Sequence, residues 1–243
     1  IIDLNYLGQN KDTIIIDNLL LSDPIVRIDK NVFQDSIIFS PEVIIDDSKS
    51  LKEKPELYFQ INHLELSRGS FVIDDWHHAP QDYSGPTIDY NHLNVMNINV
   101  NADSTKFQLP LHVESNIKSL TLKEQNGFEI QQLDVQKLSL SEMLLKLESF
   151  VLKTNASTIQ DELEFRFNGF NDFKSFAQNI KINSRLDSSR ISLADLTYFF
   201  PQLNDSPFFK LNKQRWLDLS GSVKGTIDDM NAENLALAIG NNI

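Results

Sequence analysis

Apolar and polar residues alternate through much of this chain. Phe107, Leu109, Leu111 and Val113 are separated by Gln108, Pro110, His112 and Glu114. Met96, Ile98 and Val100 alternate with Val95, Asn97, Asn99 and Asn101, and Leu163, Phe165 and Phe167 with Glu162, Glu164, Arg166 and Asn168. Leu57, Phe59 and Ile61 keep the same beat, which slips at Asn62-His63 and resumes with Leu64 and Leu66. Period two with aromatic and branched residues predicts strands with one apolar face. The slip predicts a bulge or a strand boundary. Because the other face is polar, a sheet covered on both sides is disfavoured.

A loose repeat runs through the pattern. "NLLLSDPIVRID" (18–29) lies over "HLELSRGSFVID" (63–74) at an offset of 45 residues, with looser echoes in "SLTLKEQNGFEI" (119–130) and "WLDLSGSVKGTI" (216–227). Each unit reads as two strands joined by a short turn, with Gly69, Gly127 or Gly221 near the turn. Units too small to bury an apolar face alone imply a stacked, elongated architecture. Two short helices interrupt the strands. "NDFKSFAQNI" (171–180) has an Asn-Asp cap and Phe173 and Phe176 at i, i+3; "SLADLTYFFPQL" (192–203) has Ser192 as N-cap, Asp195 as a capping-box-like partner and Pro201 as its stop. They are expected to plug an end or an edge of the sheet. Loop breaks are expected at 46–56 and 74–87. The expected organisation is a single continuous β-segment over 1–243, and a first residue Ile suggests a piece of a longer protein.

Charge and composition narrow the function. The formal net charge is −12, so the chain as a whole repels phosphate backbones, no nucleic-acid partner is expected, and attraction to anionic headgroups is not either. No cysteine is present, which removes disulfides, thiolate metal sites and a cysteine nucleophile. No run approaches the roughly 18 apolar residues of a membrane helix.

Candidate chemistry is thin. Asp74, Asp75, His77 and His78 carry metal-ligating groups, but adjacent histidines in an extended loop point apart and no recognised ligand spacing supports them. An exposed polar loop around Trp76 is the simpler account. His63, His92 and His112 fall on polar phases. "GSVKGT" (221–226) resembles a phosphate loop in composition only. Asp46-Asp47 and Asp228-Asp229 lie in expected turns without the apolar setting that would split a carboxylate pair. The expectation is a non-enzymatic protein with no cofactor and no metal. The apolar face then becomes the functional question. It belongs either to a closed core or to an open, curled sheet wetted by lipid; periodicity fits both, and taken alone favours the closed core.

Residues 119–240 change that balance. "SLTLKEQNGFEIQQLDVQKLSL", "LKLESFVLKTNASTIQDELEFRF", "NDFKSFAQNIKINSRLDSSRISLADLTYFFPQL" and the closing "LSGSVKGTIDDMNAENLALAIGNN" resemble, in that order, the TamB branch of the AsmA-like proteins in its Bacteroidota form. "HLELSRGSFVIDD" and "GPTIDYNHLNV" fit its upstream part. The resemblance implies a mainly β, taco-like sheet with an apolar concave groove. It implies a periplasmic segment of a protein anchored in the inner membrane by an N-terminal helix outside this sequence. Its partners would be phospholipid acyl chains and a TamA-type outer-membrane barrel, the latter through other regions. The implied roles are lipid movement for outer-membrane biogenesis or, alternatively, a scaffold for assembling outer-membrane β-barrels. The groove-lining residues expected are Ile98, Val100, Phe107, Leu109, Leu111, Val113, Leu120, Leu122, Phe128, Ile130, Leu163, Phe165 and Phe167.

Overall fold

The computed structural model describes residues 13–30, 58–80, 87–109 and 111–240. The expected loop at 46–56 lies outside them, as does 81–86 of the expected loop at 74–87. Among the described residues the strands are β1 (Thr13–Ser22), β2 (Ile25–Lys30), β3 (Tyr58–Asp75), β4 (His92–Gln108), β5 (His112–Glu124), β6 (Glu129–Ser141), β7 (Leu144–Thr154), β8 (Thr158–Arg166), β9 (Lys181–Ser192), β10 (Trp216–Gly225) and β11 (Met230–Gly240). Three short helices join them: α1 (Phe176–Asn179), α2 (Leu193–Phe199) and α3 (Pro207–Asn212).

All the strands belong to one open sheet in the order β1-β3-β4-β5-β6-β7-β8-β9-β10-β11, with β2 continuing β1 along β3. From β3 onward it is an antiparallel meander in which each strand pairs with its neighbours in sequence. At about 4.8 Å per strand, ten strands side by side extend roughly 45 Å across the sheet.

The 45-residue repeat is a physical pairing. β1 lies parallel to β3 with Thr13 opposite Tyr58, Leu19 opposite Leu64 and Ser22 opposite Ser67; β2 continues with Ile25 opposite Ser70 and Asp29 opposite Asp74. Every pair keeps the offset. Side chains repeat it too: Asn62 donates to Asp17 at 2.8 Å and Arg68 to Asp23 at 2.7 Å. Asp23 and Arg68 both take a left-handed backbone conformation, at φ 54° and 53°, so the two copies kink at the same place. Within β3 and β10, Gly69 and Gly221 sit at irregularities inside continuous strands; of the three glycines only Gly127 stands at a hairpin turn, which corrects the two-strand reading of those units.

Register shifts interrupt every antiparallel ladder. Ser104, Ser149, Asp161, Ser188 and Asn234 have positive φ beside them. Bulges of this kind sharpen strand twist and bend a sheet. The sheet is open and curled, and its most buried side chains run across the strands. Ala102, Val135 and Phe150 are each 1% exposed, and Ile117 stands between them on β5.

Candidate apolar groove

The curl arranges the apolar face as transverse ladders, one residue per strand. Along the floor Leu64, Ala102, Ile117, Val135 and Phe150 stand opposite one another in turn on β3 to β7. A second buried row continues beside it: Thr105 and Ser115 share a hydroxyl hydrogen bond of 2.8 Å, Ser115 faces Leu138, and Leu138 faces Leu147. The two walls are half-buried. One is Phe59, Phe107, Val113, Leu140, Leu145 and Phe165; the other is Leu66, Val100, Leu120, Leu133, Leu152 and Ile159. Among the described residues, the apolar side chains packed on the cluster of Ala102, Ile117, Val135, Leu147 and Phe150 come from β3 to β8. From β3 to β7 these four ladders contain no charged side chain.

Charges gather on the opposite face. Arg185 pairs with Asp161, Arg190 with Asp218, Lys118 with Asp103 and Lys137 with Glu148. The hydrogen bond from Arg185 holds the Asp161 carboxyl below its ordinary value, and the one from Arg190 does the same for Asp218. These exposed pairs contribute little to stability. Their position separates a wet face from a dry one.

The residues expected to line the groove fall into three groups. Val100, Phe107, Val113, Leu120 and Leu163 occupy the ladders, and Ile98, Leu122 and Ile130 extend the apolar face outward. Gly69, opposite Ile98, makes room for Leu66: a Cβ there would stand 2.7 Å from Leu66 Cδ2. Leu109 and Leu111 do not join that face. β4 ends at Gln108 and β5 begins at His112, so the 107–113 alternation is a hairpin and not one strand, and Leu109 is 52% exposed in its turn. The third group is Phe128, Phe165 and Phe167, which face the protein's own helices. Met96 also leaves the expected phase. Asn97 has φ 52°, the strand slips by one, and Val95 joins the apolar side as Met96 turns away.

Those helices form a plug. The β8–β9 connection and the β9–β10 connection enter from opposite ends of the strands and meet where the rings of Phe176 and Phe200 lie 5.0 Å apart. Phe165 contacts Phe176 at 5.2 Å, and Phe167, already beyond β8, is buried against Phe170 and Phe173. Phe128 stacks on Tyr198 at 5.3 Å and meets Phe199 edge-on at 4.7 Å. Ile180 and Leu193 are completely buried. Ser192 caps α2 as expected, accepting from Ala194 N–H. Asp195 does not close a capping box. It accepts from Thr154 Oγ1 at 2.6 Å and Ser157 Oγ at 2.5 Å, and Ser157 Oγ accepts the Ser192 N–H, so α2 is tied to the β7–β8 turn. Tyr198 donates to the buried Glu124 carboxylate, and burial followed by that contact pushes its phenol up, so it stays neutral.

The Asp-His cluster is an end clasp. Asp75 is buried and accepts from His77 Nδ1 at 3.0 Å, with His78 at 3.5 Å and Lys30 at 3.6 Å. Burial pushes its carboxyl up, but the His77 side chain and backbone N–H, with Lys30 and His78, outweigh this and hold it down to about 2. His92 contacts the His78 carbonyl at 2.9 Å and Trp76 edge-on at 5.4 Å; the contact with that carbonyl raises its pKa against the opposing effect of burial. Among the described residues no group of three or more His, Asp or Glu is arranged to hold a metal ion.

Comparisons with known proteins return nothing. No family model, curated protein or solved structure matches the chain.

Proposed function

We propose that the curled sheet is a non-enzymatic groove for phospholipid acyl chains, a segment of a conduit between the inner and outer membranes of a Gram-negative cell. The observation that carries it is the set of uncharged ladders crossing β3 to β7, buried at the floor and half-open at the walls. A closed core would hide the wall residues; here Phe107, Val113 and Leu140 stay partly accessible. At about 0.8 kcal/mol per buried CH₂, a sixteen-carbon chain gains on the order of 10 kcal/mol gross on leaving water. A charge on the path would act as a barrier, and these ladders have none. The resemblance of 119–240 to the TamB branch supports the same reading, with a periplasmic setting, an inner-membrane anchor and a TamA-type barrel as partner inherited from it.

The test is site-specific photo-crosslinking. A photoreactive phenylalanine analogue at Phe107 or Leu140 is expected to capture phospholipid in cells, and one at Lys106 or Lys137 on the opposite face is not. Equal capture from both faces, or none from either, would reject the groove.

A second reading has an observation of its own. Among the described residues β11 pairs with β10 alone and leaves Leu237 and Ile239 exposed, and a strand with one open side accepts extended chains by strand addition. It would serve a scaffold for outer-membrane β-barrels. Crosslinks from β11 to unfolded barrel proteins, with no lipid captured at Phe107, would favour it.

A further inference from the structure

We infer that α3 and the segment after it form a docking tip for an anionic membrane surface. This goes beyond the groove and rests on different residues. Leu211 is 85% exposed, the highest value among the large apolar side chains described, and Phe208 is 43% exposed. They stand three residues apart on a helical turn, so they share a side. Lys210, Lys213 and Arg215 belong to the same stretch of chain, and residues 206–217 contain no Asp or Glu. A local charge of +3 therefore stands in a chain of net charge −12. The ion pairs of the sheet use other residues, and Lys210 and Lys213 are exposed.

Exposed apolar side chains on a short basic segment fit a bilayer interface. Leu211 and Phe208 enter the headgroup boundary while the basic ends stay at phosphate level. Asp205 adjoins the segment and lowers its local charge, Asp218 is held by Arg190, and the acidic remainder beyond about 8 Å is screened at physiological ionic strength. Charge complementarity selects anionic over zwitterionic lipid. The tip is also well placed for the groove. α3 packs on the 201–205 turn and α2, whose Tyr198 and Asp195 grip the sheet. A membrane contact at α3 thus lies one short helix from the plug.

Vesicle flotation tests it, using phosphatidylcholine alone and phosphatidylcholine mixed with phosphatidylglycerol. The wild-type chain is expected to float with the anionic vesicles only, and less at high salt. Phe208→Ser with Leu211→Ser, and separately Lys210→Gln with Lys213→Gln, are expected to weaken this by about tenfold or more. All four side chains are exposed, so circular dichroism should be unchanged. Lack of flotation, equal flotation on both vesicles, or binding unaffected by either double variant would overturn the proposal. Lipid capture at Phe107 in the same variants separates the two readings, since loss of the tip leaves the groove intact and loss of the groove leaves flotation intact.

Discussion

Phe150 shows how a single side chain sustains the bend. It is 1% exposed and stands beside Val135 where Ser149 takes φ 52°. The bulge turns the strand, and the ring fills the hollow inside the turn. Phe150→Ala is expected to cost about 3–5 kcal/mol, read as a lower urea midpoint, because neighbouring strands cannot collapse into the space. Ala102, equally buried, is small at the matching point on β4. Gly221 is used differently: at φ 136° a Cβ would lie 2.6 Å from Asn234 O. Positions of this kind were the least legible in the sequence. Asn97, Ser104 and Asp161 look like ordinary polar members of an alternating strand, and nothing local marks them for φ > 0. Each one-residue slip reverses the faces of all that follows. That is why Met96 was expected on the apolar side and Val95 was found there.

Elements were far more legible than their boundaries. Alternation marked the strands and Ser192 announced α2, but the bulge or boundary expected at Asn62-His63 is not there: β3 keeps one register opposite β4 from Tyr58 to Leu66, and its register shifts fall on either side of Gly69. The tertiary use of Asp195 could not be read, because its partners Thr154 and Ser157 are distant in sequence. Asp195→Ala removes the acceptor for both hydroxyls and is expected to cost about 1–3 kcal/mol. Hydrogen exchange should quicken in α2 and in the β7–β8 turn and stay slow in β5. The clasp at the end of β3 gives a pH signature. Asp75 has a folded pKa of about 2, below the ordinary carboxyl value of about 3.9. Its ionisation therefore stabilises the fold fully above the unfolded value, and that stability is lost as pH falls through the folded one. Asp75→Asn, which cannot ionise, is expected to be less stable than wild type at pH 7. The gap should narrow between pH 4 and pH 2 in thermal melts, and a constant gap would remove the clasp.

Over the whole molecule, each strand from β4 to β10 pairs, among the described residues, with the strands before and after it in the chain, and the apolar ladders cross β3 to β7 in step. The stability of such a sheet is a sum over neighbouring strands, as in repeat proteins. Adding or removing a whole hairpin leaves the remaining antiparallel order intact and joins floor to floor and wall to wall. Length is thus the dimension in which this architecture is free to vary. A longer or shorter span between two fixed surfaces can be reached without redesigning any cross-section.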